Sequence, residues 1–276
     1  MNSDILTCFK NSKYKSIKHS TYFNSYEHFF SSYRGKNITF IEIGILNGGS
    51  LFMWREYFGP QARIIGIDLN PNAKKWEKEG FEIFIGDQSN DKFWREIKTK
   101  IKGIDIVLDD GGHTYDQQII TTESLLGAMN DGGIIVIEDT HTSYEDGFGP
   151  KKYSFINYVK KKIDQINFRF SNLSNSFKPE KRIWSVEIVE SMVAFKINRT
   201  ESNKISSQIS NNGKDNPNDS IEYRHHDKKE YFFFLNALHK LKFLRIVKYL
   251  PFSKKIFHFL RKYLINKNFK SKAYFK

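Results

Sequence analysis

Short apolar runs alternate with amphipathic segments along the first half of the chain. Five runs are nearly continuous in apolar residues and predict strands: 39–43, 62–69, 81–85, 104–108 and 133–137. Such runs are typical of strands buried on both faces of a parallel sheet. Apolar residues at helical spacing between the runs predict helices over 50–58, 91–101 and 117–129.

The pattern continues on both sides of this alternating region. It predicts a helix over 22–33 before the first strand, a helix over 153–168, and a strand pair over 184–189 and 192–197. The predicted fold class is therefore α/β: a Rossmann-like, mostly parallel sheet with helices on both faces and a C-terminal antiparallel strand pair.

Charge separates the end of the chain from the rest. The net charge of the 276 residues is +13, yet residues 231–276 hold twelve Lys or Arg and no Asp or Glu. A Ser- and Asn-rich stretch precedes this tail. We therefore predict an N-terminal lead-in over 1–37, a catalytic domain over 38–199, a polar linker over 200–225 and a basic tail over 226–276.

The tail pattern predicts two amphipathic helices broken at Pro251. Two interpretations stay open. The tail either rests on an anionic membrane or acidic partner, or covers its own domain or a second copy in a homo-oligomer. Cys8 is the one cysteine, and no run approaches about 18 apolar residues. We expect a cytoplasmic protein, with peripheral membrane contact as the alternative for the tail.

A glycine-rich turn follows the first predicted strand. Residues 42–50 read Glu-Ile-Gly-Ile-Leu-Asn-Gly-Gly-Ser, with glycines at Gly44, Gly48 and Gly49. Glycine lets the backbone approach a ligand closely, because it has no Cβ. The spacing fits neither the dinucleotide fingerprint nor a Walker loop. Such a turn also serves merely to pack a helix on a sheet, so it does not decide between binding and packing.

Polar residues end the second and third predicted strands. Asp68 at the end of the second can accept both hydroxyls of a ribose, and Asp87 and Gln88 after the third can meet an adenine edge. The alternative for Asp68 and for Asp87 is a helix N-cap.

Two acidic clusters follow the fourth and fifth predicted strands. They supply Asp109 and Asp110, then Glu138 and Asp139. Because parallel strands present their carboxyl ends at one edge, these four carboxylates should converge and repel one another. A divalent cation such as Mg²⁺ or Mn²⁺ would relieve the repulsion. We expect Asp110 and Asp139 as its ligands, then Glu138, with Asp109 facing a cofactor.

Two histidines lie near these clusters. His113, three residues after Asp110, is a candidate general base for a hydroxyl, because a neutral imidazole accepts a proton near neutral pH. The alternative is a loop histidine that caps the next helix. His141 is expected to be a solvated loop residue or part of an acceptor pocket.

The motifs resemble those of the class I methyltransferases, which use S-adenosyl-L-methionine. The resemblance rests on Glu42-x-Gly44-x-x-x-Gly48, Asp68 and Gly86-Asp87. It implies that Gly44 and Gly48 line the methionine part, that Asp68 holds the ribose and that Asp87 and Gln88 lie by the adenine. The remaining predicted cofactor-site residues are Tyr22, Glu42, Ser50 and Asp109.

A narrower resemblance is to the metal-dependent sugar O-methyltransferases, including macrolide sugar and rhamnosyl O-methyltransferases. It is carried by the residues 109–113, 136–140 and 185–193, and by the lead-in with Lys15, His19 and Tyr22. It implies a metal held by Asp110 and a base at His113. The implied acceptor is a sugar hydroxyl on a nucleotide-linked sugar, a surface polysaccharide such as a capsule, or a natural-product glycan.

Other functions remain open at this point. The same motifs also resemble those of proteins similar to cephalosporin hydroxylase. The motifs alone therefore do not determine which reaction is catalysed. The positive charge suggests a nucleic-acid methyltransferase. However, the charge is remote from the motif-bearing region, and no Asn/Asp-Pro-Pro-Tyr/Phe run for base amino groups is present. We therefore expect a sugar-containing small molecule as the partner, and no nucleic acid.

Overall fold

The computed structural model describes residues 4–170, 173, 177–207, 209–214 and 274. The chain divides into two compact units, Met1–Gln208 and Ile209–Lys276. The predicted tail, apart from residue 274, and the predicted linker beyond residue 214 lie outside the described residues. The tail helices and the domain boundaries thus stay predictions. No described helix has the length and apolar character needed to cross a membrane.

Seven strands form a single sheet within the described residues. They are β1 (Thr39–Ile43), β2 (Arg63–Asp68), β3 (Glu82–Ile85), β4 (Ile104–Asp109), β5 (Met129–Ile137), β6 (Ile183–Val189) and β7 (Met192–Ile197). Their order across the sheet is β3-β2-β1-β4-β5-β7-β6. Strands β1 to β5 pair in parallel, whereas β7 runs antiparallel to both β5 and β6. The predicted mostly parallel sheet with a C-terminal antiparallel pair is confirmed.

The strand order places the predicted site. Chain order reverses between β1 and β4, which creates the crevice where ligands bind in open parallel sheets. The register aligns Ile43 of β1 with Asp109 of β4, and Asp109 with Ile137 of β5. The loops after these three strands therefore start at the same level of one sheet edge.

Helices cover both faces of the sheet, as predicted. They are α1 (Ile5–Asn11), α2 (Tyr22–Phe30), α3 (Gly49–Phe58), α4 (Asp91–Lys100), α5 (Tyr115–Leu126), α6 (Phe155–Asn167) and α7 (Arg199–Ser202). One apolar cluster includes Phe30, Phe40 and Trp54 and lies on the face of α1 to α3. A second, with Trp94 and Phe155, lies on the face of α4 to α6. Burying a large apolar side chain contributes roughly 1.5–3 kcal/mol, so both layers stabilise the sheet.

The lead-in differs from the predicted single helix. Helix α2 ends at Phe30 and continues as a 3-10 turn over Ser31–Tyr33. An additional helix, α1, begins after Asp4, whose carboxylate accepts the Thr7 N–H. Helix α1 has only 7 residues and buries Ile5 and Cys8. A segment so short gives little periodicity to detect, because its helicity depends on tertiary packing.

Candidate functional site

A cavity of about 550 Å³ opens at the carboxyl ends of the parallel strands. Its walls come from the lead-in and from the loops after β1 to β5. The residues that line it are Ile17, Lys18, His19, Tyr22, Ile43, Gly44, Leu46, Ile67, Asp68, Leu69, Gly86, Asp87, Gln88, Asp110, Gly111, Gly112, His113, Gln117, Glu138 and Asp139. The cavity thus brings together most of the predicted cofactor, metal and catalytic residues.

The glycine turn after β1 is held close to the loop after β4. Gly44 has φ +82°, and a Cβ added there would lie 2.1 Å from the backbone oxygen of Asp110. Only glycine fits this approach without a shift of one loop. Gly48 has φ +75°, and a Cβ there would meet the indole of Trp76. Gly44 therefore lines the cavity, whereas Gly48 packs on Trp76.

Glu42 and Ser50 lie beneath this turn and do not line the cavity. The Ser50 hydroxyl donates to Glu42 at 2.7 Å, and the Trp54 indole N–H donates to the same carboxylate at 3.2 Å. Burial raises the pKa of Glu42 to about 7, against the lowering effects of Lys18 and the Ser50 hydrogen bond. This pair stabilises the start of α3 from within the core.

Asp68 faces the cavity and also organises the turn. Its Oδ2 accepts the backbone N–H groups of Ile45 and Leu46, at 3.0 and 3.1 Å. The cap of the following 3-10 helix is Asn70, whose side chain accepts the Asn72 N–H. The alternative that Asp68 is a helix cap is therefore wrong. The other oxygen, Oδ1, accepts the Asn70 N–H at 2.8 Å, and Asp68 lines the cavity.

Asp87 and Gln88 occupy the end of β3. Asp87 lines the cavity and accepts the backbone N–H of Ser89 at 2.8 Å, while the N-cap of α4 is Asn90. Gln88 is buried and joins two loops, since its Nε2 donates to Asp109 at 2.9 Å and its Oε1 accepts the Gly112 N–H. These contacts fix the wall that was predicted to meet adenine.

Asp109 is placed differently from its neighbour Asp110. It is 2% exposed and accepts hydrogen bonds from Gln88 and from the Gly111 N–H. Burial raises the pKa of Asp109 to about 7. Asp109 therefore stabilises the loop after β4 through buried hydrogen bonds and does not line the cavity.

The two predicted key acids, Asp110 and Asp139, meet His113 at the centre of the cavity. One ligand atom from each of the three lies within 4.8 Å of the other two. His113 Nε2 is 3.3 Å from Asp139 Oδ2, and the Tyr22 hydroxyl donates to Asp139 Oδ1 at 2.6 Å. His113 and Asp139 have φ +60° and +53°. Such backbone strain in non-glycine residues is often concentrated at functional sites.

Lys18 was not predicted as a site residue, yet it lies within the acidic centre. Its Nζ is 2.6 Å from Asp110, 3.2 Å from Glu138 and 3.8 Å from Glu42, and its side chain is 2% exposed. Burial alone would lower the pKa of Lys18, but Glu138 and the other neighbouring acidic groups raise it well above its usual range. Lys18 is thus a protonated counter-ion. Lys18 therefore offsets part of the repulsion that was expected among these carboxylates.

Glu138 does not lie with the other predicted metal ligands. Its carboxylate accepts from Lys18 and from the Tyr26 hydroxyl, and its side chain is 1% exposed. It is not part of the Asp110–His113–Asp139 group. No local spacing reveals this pairing, because Lys18 is 92 residues from Asp110 and 120 from Glu138. The sequence signal that points to such a lysine is the excess of acidic residues at these strand ends, because converging carboxylates need a positively charged partner.

Two further histidines lie at the rim near Asp139. His19 Nε2 and His141 Nδ1 are each 3.9 Å from Asp139 Oδ1, and His19 lines the cavity. His141 is also hydrogen bonded to the Ser191 hydroxyl. Asp139 is therefore approached by three imidazoles and one phenol.

A protein-family profile described as a methyltransferase domain matches residues 41–140. These are the residues that form β1 to β5 and most of the cavity. The match spans 100 of the 276 residues. The glycine turn, Asp68, Asp87, the Asp110–His113 loop and Asp139 all fall inside it.

The chain is similar to proteins named as sugar O-methyltransferases. It is 37% identical over 131 residues to a rhamnosyl tetracenomycin-C 3'-O-methyltransferase of Streptomyces olivaceus, covering 45% of this chain and 33% of that protein. It is 33% identical over 131 residues to the mycinamicin VI 2''-O-methyltransferase of Micromonospora griseorubida, covering 45% and 32%. The matches thus span about a third of the length of these relatives.

The fold of this chain is similar to that of a solved methyltransferase structure. A mycinamycin-pathway methyltransferase, MycE, solved in complex with Mg and SAH, superposes with a TM-score of 0.66 at 23% identity. The alignment covers 74% of this chain and 56% of that one. The likeness extends beyond the family match to the lead-in or the C-terminal strand pair, since 74% of the chain exceeds the span of residues 41–140.

Proposed function

We propose that this protein is an S-adenosyl-L-methionine-dependent O-methyltransferase that acts on a sugar hydroxyl with the help of a divalent cation. One observation carries the proposal. A single cavity is lined both by Asp68, at the carboxyl end of β2, and by the Asp110–His113–Asp139 cluster in the loops after β4 and β5. A simple packing function for the glycine turn explains neither.

The residues along β1 to β3 fit S-adenosyl-L-methionine. Gly44 leaves room for the methionine part, Asp68 would hold the ribose hydroxyls, and Asp87 with Gln88 would border the adenine. Leu46 and Leu69 are 80% and 70% exposed in the cavity wall and would be covered by the nucleoside. The bound cofactor supplies a methyl group activated by its sulfonium charge.

The cluster fits a divalent cation by the chemistry of its donors. Asp110 and Asp139 offer hard carboxylate oxygens, which Mg²⁺ and Mn²⁺ prefer, and they lie on neighbouring strand ends. A bound cation would orient the acceptor hydroxyl and lower its pKa. Because oxygen donors suffice for such an ion, we do not assign His113 as a metal ligand.

His113 then takes the hydroxyl proton. Its ring is 26% exposed toward the cavity and is anchored through Nε2 beside Asp139. A carboxylate next to one ring nitrogen favours the tautomer with the proton on that nitrogen, so the other ring nitrogen can accept the hydroxyl proton. The same carboxylate stabilises the imidazolium that results. Tyr22 holds Asp139 from the opposite oxygen, so the orientation of the base is fixed by the lead-in.

The names of the relatives support a sugar-containing acceptor. The similar proteins are named for O-methylation of rhamnosyl and macrolide-linked sugars. We propose a sugar-containing acceptor here, either a natural-product glycan, a nucleotide-linked sugar or a surface polysaccharide. Cytoplasmic location, membrane contact of the tail and homo-oligomerisation stay predictions from the sequence.

The test is methyl transfer from S-adenosyl-L-methionine labelled in its methyl group. The full chain is assayed with rhamnosyl glycosides, nucleotide-linked sugars and polysaccharide fragments, in EDTA and in Mg²⁺. The proposal predicts label on a sugar oxygen, only with Mg²⁺. Label on a nucleic acid, or equal transfer in EDTA, would contradict it.

A further inference from the structure

Lys18 reaches the acidic centre from outside the methyltransferase domain. It lies in the irregular lead-in segment between α1 and α2, and its two neighbours Ile17 and His19 line the cavity. Its ammonium group is nevertheless almost fully enclosed, with 2% of the side chain exposed. A lysine buried to this degree is costly unless carboxylates surround it.

The ammonium group divides the carboxylates into two sets. It donates to Asp110 Oδ2 at 2.6 Å and to Glu138 Oε2 at 3.2 Å, and it lies 3.8 Å from Glu42. Asp139, in contrast, receives a neutral hydroxyl from Tyr22. Glu138 is also bound by the Tyr26 hydroxyl. The carboxylates on the Lys18 side thus have an ammonium partner, whereas the two oxygens of Asp139 face the Tyr22 hydroxyl and the His113 imidazole.

We propose that Lys18 is a built-in cation that sets the affinity and position of the divalent metal. By holding Glu138 and one oxygen of Asp110, it restricts metal coordination to the Asp139 side of the centre, beside His113. It also lowers the negative charge that attracts the ion, which keeps metal binding weak and reversible. This inference rests on the metal-assisted function proposed above.

Lys18 is a positioning residue in this account, since it acts on the metal through Asp110 and Glu138. Its removal should leave Glu138 and both oxygens of Asp110 free to bind the ion. The consequence is tighter metal binding at a displaced position, accompanied by slower methyl transfer. A purely structural lysine would give weaker metal binding, because its loss would disorder the ligands.

The experiment is a titration of the EDTA-treated, dialysed full chain with Mn²⁺, following free Mn²⁺ by electron paramagnetic resonance. Lys18→Met is compared with wild type and with Lys10→Met, which removes the same charge from an exposed position in α1. We expect the Kd for Mn²⁺ to fall at least tenfold in Lys18→Met, about 1.4 kcal/mol. Lys10→Met should stay within twofold of wild type.

A charge-matched variant sharpens the test. Lys18→Met combined with Glu138→Gln removes the carboxylate that the first change sets free, so the Kd should return to within threefold of the wild-type value. If circular dichroism shows that Lys18→Met does not fold, Lys18→Gln takes its place, because it keeps an N–H donor without the charge. A double variant that binds as tightly as Lys18→Met would overturn the assignment of Glu138.

The outcomes separate this inference from the proposed function. Wild-type binding of Mn²⁺ with unchanged or weaker binding in Lys18→Met overturns the role of Lys18 and leaves the metal-assisted function standing. If neither protein binds Mn²⁺, both the role of Lys18 and the metal-assisted function are overturned. Binding by Lys18→Met alone supports the role of Lys18, and a Mg²⁺-independent wild-type activity would then contradict only the proposed function.

Discussion

At the scale of single residues, the proposed proton transfer depends on His113 and on Asp139, the carboxylate beside its ring. Asp139 accepts from Tyr22 and lies 3.3 Å from the His113 ring, so one acid organises both the lead-in and the base. The proposed cofactor-binding residues, Asp68 and Asp87, lie on other strand ends. Binding of the methyl donor and proton removal should therefore respond to different substitutions.

His113→Ala is expected to lower methyl transfer at least 100-fold, the usual contribution of a general base. Affinity for S-adenosyl-L-methionine should stay within threefold. The measurements are turnover and calorimetric titration. His28→Ala is the matched control, since His28 is an exposed histidine on α2 that contacts Glu187. Loss of cofactor affinity in His113→Ala would contradict its assignment as the base.

Glu42 should leave a signature in the pH dependence of stability. Its pKa of about 7 in the folded protein lies above the value near 4.3 expected of an unfolded chain. The protonated form is thus favoured by folding, and this contribution is lost as pH rises through 7. Glu42→Gln mimics the protonated form.

The melting temperature of Glu42→Gln relative to wild type should therefore rise between pH 5 and pH 8. Glu82→Gln, at a half-exposed ion pair with Arg63, should show no such trend. Thermal melts at several pH values measure both. A difference for Glu42→Gln that falls with pH would show that its carboxylate is stabilised in the fold.

At the scale of elements, the site depends on two loops that nearly touch. The turn after β1 approaches the loop after β4 so closely that Gly44 has no room for a side chain. Gly59, at the end of α3, has a similar φ of +91° but nothing within 4 Å of an added Cβ. These two glycines separate backbone strain from steric contact.

Gly59→Ala should cost only the strain of a left-handed backbone, about 1–3 kcal/mol, with unchanged cofactor affinity. Gly44→Ala should cost more and weaken S-adenosyl-L-methionine binding at least tenfold, because the alanine displaces the Asp110 loop. Denaturant melts and calorimetry measure both effects. Equal behaviour of the two variants would show that the close approach is unimportant.

Most elements were predictable because their patterns are local. The strands β1 to β4 contain nearly continuous apolar runs, and the helices between them keep an amphipathic period. Strand β5 begins at Met129, earlier than predicted, because its first residues include Asn130, Asp131 and two glycines, which gave no strand signal. The 3-10 helix over Pro71–Glu79 was not predicted, since only Ala73 and Trp76 are buried in it. The acidic residues that line the cavity could be predicted to converge, because parallel strands present their carboxyl ends at one edge of the sheet. Lys18 could not, because its partners are distant in sequence and only the fold brings them together.

At the scale of the whole molecule, the predicted boundary near residue 199 falls within a set of contacts. Arg199 and Thr200 bind Asp131, and the Arg199 guanidinium also donates to the backbone oxygen of Leu126. These contacts attach α7 to the end of the sheet. The first compact unit extends to Gln208.

A protein ending at residue 208 should consequently fold and bind S-adenosyl-L-methionine with wild-type affinity. One ending at residue 198 should lose roughly 1–3 kcal/mol of stability, since Asp131 loses its partners. Denaturant melts and calorimetry on both proteins test this. An unfolded 1–208 protein would show that the remainder of the chain is needed for folding.

The most direct test of the account is calorimetric titration of S-adenosyl-L-methionine into the EDTA-treated full chain, with Asp68→Ala alongside. The account predicts one cofactor per chain without added metal, competition by S-adenosylhomocysteine and at least tenfold weaker binding in Asp68→Ala. An absence of binding in wild type, with or without Mg²⁺, would contradict the central claim that this cavity is a methyltransferase cofactor site.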